Sequence, residues 1–143
     1  MLQSPLRLLA VVFGTVYLLT GLAGFIVTGF GSLVSSVGVL AVFELNPLHN
    51  LAHMLIGLLW LLSAANADTA RAAAQVFGLV YVVLSILGFL AIGVALNALA
   101  LNTADNILHL VSGGVALLLG IFVQRDTLLG RPGQGTRAAD SRS

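Results

Sequence analysis

Four asparagines, three histidines and one aspartate sit at matching places in an otherwise apolar chain, and any chemistry must draw on them. Asn46, His49, Asn50 and His53, followed by Gly57, return as Asn102, Asp105, Asn106 and His109, followed by Gly113, at a constant offset of 56 residues. The shared pattern is N-x-x-[HD]-N-x-x-H-x-x-x-G. On a helix, positions i and i+4 share a face, so His49 pairs with His53 and Asp105 with His109, and each of Asn50 and Asn106 lies three residues before its histidine. If a two-fold relation brings the two segments together, His53 meets His109 or the opposite asparagine.

Part of this pattern is explained by helix termination. Asn46 and Asn102 are suited to cap helices, Pro47 to open one, and Asp105 to sit in a first turn where a carboxylate favours the exposed amides. Capping does not reach Asn50, His53, Asn106 or His109. With Pro47 as the first helical residue, His53 lies about 9 Å further along the axis, deep enough in hydrocarbon to need another reason.

Three readings of the cluster follow. Interhelical hydrogen bonds that hold two halves in register are the leading one, because polar residues in membrane bundles commonly serve as mutual partners. A ligand site is the second: His49, His53, Asp105 and His109 offer donors for zinc or a similar ion, with imidazoles as axial ligands of haem b as a variant. A proton-responsive cluster is the third, since imidazole titrates in the physiological range. The difference between His49 and Asp105 makes a symmetric metal site inexact.

Composition explains why these residues stand out. The chain has 143 residues, 59% hydrophobic and 8% charged, which is membrane-like. Spanning about 30 Å of hydrocarbon takes about 20 apolar residues as a helix. Four stretches qualify, from about Leu6 to Thr28, Pro47 to Ala65, Ala70 to Leu96 and Thr103 to Val123. The expected fold is all-α, an integral membrane four-helix bundle. Residues 1–124 form its single four-span domain, and the Gly/Arg/Ser-rich tail 125–143 is expected to be disordered and cytoplasmic.

The chain has no cysteine, so thiolate sites and disulfides are excluded. It also lacks a Walker loop, an H-E-x-x-H segment, a Rossmann fingerprint and a nucleophile beside a base, which argues against an enzyme. No feature points to nucleic acid. The expected partners are the lipid bilayer and other membrane proteins or a second copy of this chain, in the role of a non-enzymatic scaffold or accessory subunit. A metal- or haem-binding protein with a redox or transport role is the alternative.

All six basic residues are arginine: Arg7, Arg71, Arg125, Arg131, Arg137 and Arg142. Arg7 precedes the first span, Arg71 occupies the link between spans two and three, and the other four follow span four. The positive-inside rule then places both termini in the cytoplasm of an inner (plasma) membrane protein and both polar motifs toward the outside.

A second match sharpens the organisation. Val12-Phe13-Gly14, Val16-Tyr17, Gly21 and Gly24-Phe25 correspond to Val76-Phe77-Gly78, Val80-Tyr81, Ser85 and Gly88-Phe89 at an offset of 64. A removable leader at Met1 to Thr28 would have no reason to resemble a retained span. The two matches define a duplicated two-helix unit, repeat one at 6–65 and repeat two at 70–123, expected to be parallel about an axis along the membrane normal. The recurrent glycines read as helix-packing positions. Tyr17 and Tyr81 are equivalent mid-span residues whose hydroxyls need partners, and Trp60 reads as packing or an inner-interface anchor. The connection from Gly31 to Leu45 is too short to cross, at about 23 Å even as a helix. It is expected at the outer interface or dipping back, with Glu44 its one charge.

At Phe43-Glu44-Leu45-Asn46-Pro47-Leu48-His49-Asn50-Leu51-Ala52-His53 and at Asn102-Thr103-Ala104-Asp105-Asn106-Ile107-Leu108-His109-Leu110, the chain resembles domain-of-unknown-function family 4383 over nearly its whole length. The resemblance implies a four-span membrane protein of the kind found chiefly in actinobacteria, and it brings no activity with it. Arginine without lysine, beside abundant Ala, Gly, Leu and Val, fits a GC-rich genome.

Overall fold

Each of the four apolar runs becomes a helix, and each start is written in its first residues. In the computed structural model, which describes residues 4–90 and 98–123, α1 spans Pro5–Thr28, α2 Pro47–Ser63, α3 Ala67–Phe89 and α4 Thr103–Phe122. Pro5 and Pro47 open their helices, where the missing amide costs nothing. Asn46, Asn66 and Asn102 accept from the amides of His49, Thr69 and Asp105, so three helices carry side-chain caps. At α4 the cap is reciprocal, because the Asp105 carboxylate also accepts from the Asn102 amide at 3.0 Å.

Three helices, α1, α3 and α4, are long and apolar enough to cross a membrane. With 17 residues, α2 is shorter and equally apolar, at the lower limit for a span. The last part of the expected third span, and the whole expected cytoplasmic tail, lie outside the described residues.

Between α1 and α2 the chain turns at Gly29, whose φ of +63° suits glycine. A small antiparallel hairpin follows, β1 at Gly38–Leu40 and β2 at Phe43–Leu45. The connection expected at the outer interface or dipping back thus contains a β-hairpin over residues 38–45, whose pairing satisfies backbone groups that an irregular loop would leave open. Glu44, in β2, is exposed.

The bundle is inverted relative to a soluble protein. Leucine, valine and isoleucine dominate the exposed surface, while alanine, glycine, tyrosine, histidine and asparagine fill the interior. Lipid tails are as apolar as leucine, so burying leucine gains little and close approach of small residues gains more. Accordingly, α1 packs extensively on α2 and α3 on α4.

The glycines show how closely. A Cβ at Gly14 would come within 2.8 Å of the Gly57 carbonyl, and one at Gly78 within 2.8 Å of the Gly113 carbonyl. These are the same contact in the two hairpins. Contact between the hairpins runs chiefly through α1 and α3, with a smaller share from α2 and α3. The expected meeting of spans two and four is therefore made by side chains and not by packed backbones.

Trp60 is fully buried between Phe13 and Phe77, with ring centroids 5.5 and 5.4 Å away. It is a core residue, and not an interface anchor. At the opposite end from the polar motifs, the Arg7 Nε donates to the Ala64 carbonyl at 2.7 Å, and the Arg71 guanidinium donates to the carbonyls of Gly120, at 2.9 Å, and Val123. Each arginine thus satisfies carbonyls at the C-terminal end of the other helix in its own hairpin. Arg7 and Arg71 are themselves 64 residues apart, and Ala64 and Gly120 are 56 apart, so this contact also repeats.

Candidate functional site

The eight polar residues of the two motifs divide into three groups. Asn46 and Asn102 are caps, but their amide groups also reach across the molecule. Asn46 Nδ2 donates to Ala98 O at 2.7 Å and to Val34 O at 3.1 Å, while Asn102 Nδ2 donates to Val42 O at 2.8 Å. The cap of α2 thus holds the chain leading into α4, and the cap of α4 holds the turn between β1 and β2. These two bonds stitch the motif ends of the hairpins together.

Asn50 and Asn106 do not face the opposite repeat. Each side chain lies against a glycine of its own hairpin, and a Cβ at Gly24 or Gly88 would overlap Asn50 Oδ1 or Asn106 Oδ1. Asn50 Nδ2 donates to Thr28 Oγ1 at 2.9 Å, and neither Oδ1 has a partner among the described residues. Of the two meetings expected for His53, with His109 or with the opposite asparagine, the second is not made. Helical spacing placed both on a polar face, but the notch left by a missing side chain decided where each amide went.

The histidines do converge. His49, His53 and His109 are 2%, 6% and 3% exposed. One ring nitrogen from each lies within 4.8 Å of those of the other two. His49 Nε2 and His53 Nε2 are 2.9 Å apart and share one proton in a hydrogen bond. The His109 ring centroid lies 6.4 Å from both.

Asp105, grouped with the histidines in the sequence reading, stands apart from this trio. Its carboxylate accepts from the Asn102 amide, the first-turn role expected of it, and it is not among the donors that converge. The counterpart position, His49, is free for the cluster because its side chain has no role in the cap, where only its backbone amide takes part.

Two tyrosines form the wall of this centre, and they are the residues that the motif alone does not reveal. Tyr17 on α1 and Tyr81 on α3 stack with centroids 5.3 Å apart and planes 17° from parallel. Tyr17 meets His53 edge to face at 5.1 Å, and Tyr81 lies flat on His109 at 4.8 Å. Tyr17 Oη and Ser112 Oγ are 3.3 Å apart, in hydrogen-bond contact between α1 and α4. Their equivalence at an offset of 64 was the available signal; their meeting with each other was not in it.

Five aromatic or imidazole rings therefore fill one buried volume drawn from all four helices. Such a centre can hold two hairpins by stacking and can offer nitrogen donors.

Comparison with family models finds one described as a domain of unknown function (DUF4383), matching residues 7–122. No curated protein and no solved structure matches the chain.

Proposed function

The chain belongs to the DUF4383 family, and we propose that it is a non-enzymatic scaffold or accessory subunit of the plasma membrane, whose buried aromatic and polar centre fastens two parallel two-helix repeats together. The observation that carries this reading is the stack of Tyr17 on Tyr81, because it joins equivalent residues of the two hairpins at the buried centre of the bundle. The reciprocal bonds from Asn46 to Ala98 and from Asn102 to Val42 support it at the motif end. Recurrence of the glycine, asparagine and arginine contacts at offsets of 56 and 64 supports a parallel duplication.

Orientation follows from charge. Arg7 and Arg71 lie at the end away from the histidines, and the remaining arginines follow α4, so the positive-inside rule puts both termini in the cytoplasm and the histidine end outside. The partners of a protein with this fold are the bilayer, through its leucine-rich surface, and other membrane proteins or a second copy.

A double-mutant cycle tests the fastening. Tyr17→Leu, Tyr81→Leu and the double variant are unfolded in mixed micelles, and the two positions are expected to couple by about 0.5–1.5 kcal/mol. Additive losses would remove the stack from its fastening role.

A further inference from the structure

The three imidazoles have more polar capacity than the fastening uses. Among the described residues they make a single mutual hydrogen bond, within α2, and Nδ1 of His49, His53 and His109 each lacks a partner. A neutral imidazole carries one N–H and one lone pair, and leaving such atoms buried and unmatched costs about 1–3 kcal/mol each. Aliphatic side chains would fill the same volume without that cost. The cluster is therefore poorly built for mutual hydrogen bonding and better built for a ligand that takes lone pairs.

We propose that His49, His53 and His109 together bind one divalent first-row transition ion of the zinc class, held between α2 and α4. Two ligands come from one helix at i and i+4, where they are pre-aligned, and the third comes from the other repeat. An ion with metal–nitrogen distances of about 2.0–2.1 Å holds its nitrogens about 3.4 Å apart. His49 and His53, at 2.9 Å, then part by about 0.5 Å, and His109 closes from within 4.8 Å by at most about 1.4 Å. Side-chain rotation covers both movements.

The donor set selects the ion. Imidazole suits zinc, copper, nickel and iron, whereas magnesium and calcium need oxygen shells. The near carboxylate, Asp105, is committed to the α4 cap, and Glu44 is exposed in the hairpin outside the trio. The ring of Tyr17 packs edge to face against His53 and that of Tyr81 lies flat on His109, filling space a planar macrocycle would need, so a bare ion fits better than haem. The inference rests on the fastening reading in that the ion would join the same two repeats, but the two fail separately.

The test uses the full chain in lipid nanodiscs, carrying a purification tag without histidine and stripped with chelator, titrated with Zn(II) and with Co(II). One zinc per chain and a visible four-coordinate Co(II) spectrum are expected. His53→Gln and His109→Gln, which keep size and polarity, are each expected to weaken zinc binding by about tenfold or more. Should either variant fail to fold, zinc protection of the three imidazoles from acylation in the unaltered chain is read by mass spectrometry. No zinc uptake, uptake unchanged in both folded glutamine variants, acylation equal with and without zinc, or a Soret band in the protein as isolated would overturn the proposal. A chain that takes no zinc while Tyr17 and Tyr81 still couple loses the ion and keeps the fastening. One that binds zinc with additive tyrosine losses does the reverse.

Discussion

Ser85 Oγ donates a 2.6 Å hydrogen bond to the carbonyl of Asn106, joining α3 to α4 at the level of the asparagine notch. Its counterpart in the first hairpin is Gly21, where a Cβ would come within 2.6 Å of the Asn50 carbonyl. The two hairpins solve the same position differently: one brings the helices into contact over a glycine, and the other bridges them with a hydroxyl.

That difference predicts an asymmetry. Ser85→Ala is expected to lower stability by about 1 kcal/mol, the value of one buried hydrogen bond. Gly21→Ser, although it copies the residue of the other repeat, is expected to cost more. The new side chain meets Met54 Cγ at 2.7 Å and Met54 N at 2.9 Å besides the carbonyl, and backbone cannot give way as a flexible side chain can. Unfolding both variants in mixed micelles checks the order; equal losses would contradict it.

The asparagine notches give a second prediction. Gly24→Ala drives a methyl group into the Asn50 side chain and is expected to cost about 1–3 kcal/mol. Combining it with Asn50→Ala removes the clash, so the pair is expected to lose less than the sum of the single variants. Gly88→Ala with Asn106→Ala repeats the experiment in the second hairpin. A sum without coupling would mean that the amides do not occupy the notches.

Arginine chemistry at the other end yields a third. Arg71 reaches two carbonyls, of Gly120 and Val123, and Arg7 one, of Ala64. A lysine ammonium is a compact point charge and does not reproduce the fork. Arg71→Lys is therefore expected to destabilise by about 1–2 kcal/mol and Arg7→Lys by less. Thermal melts in detergent rank them, and a larger loss at Arg7 would contradict the assignment.

The caps provide a fourth. Asn102→Ala removes the α4 cap and the bond to Val42 together, so its expected cost exceeds the roughly 1 kcal/mol of an ordinary N-cap. Asn102→Ser retains a capping oxygen and loses the bond to Val42, and is expected to lie between the unaltered chain and Asn102→Ala. If Asn102→Ser equals the unaltered chain in urea or heat unfolding, the bond between repeats carries no weight.

Topology stands as a fifth. Reporter fusions after Arg125 are expected to be active on the cytoplasmic side, and those inserted between Gly31 and Leu45 on the outside. The reverse pattern would mean that the arginines do not set the orientation.

The residues themselves carried a large part of this account. Hydrophobic run length gave the helices because a membrane leaves no other way to satisfy backbone groups, and Asn46, Pro47 and Asn102 marked helix starts because capping depends on a few neighbouring residues. The offsets of 56 and 64 identified the repeat, and with it the equivalence of Tyr17 and Tyr81. Whether Asn50 would turn to a glycine or to a histidine, whether Asp105 would serve an ion or an amide, and that the hairpins meet through α1 and α3 were decided only when four helices packed. Spacing along one helix determines which face a side chain occupies. What that face meets depends on how separate helices approach, and here Gly14 with Gly57 and Gly78 with Gly113 let the paired helices close, while Gly24 and Gly88 took in the side chains of Asn50 and Asn106.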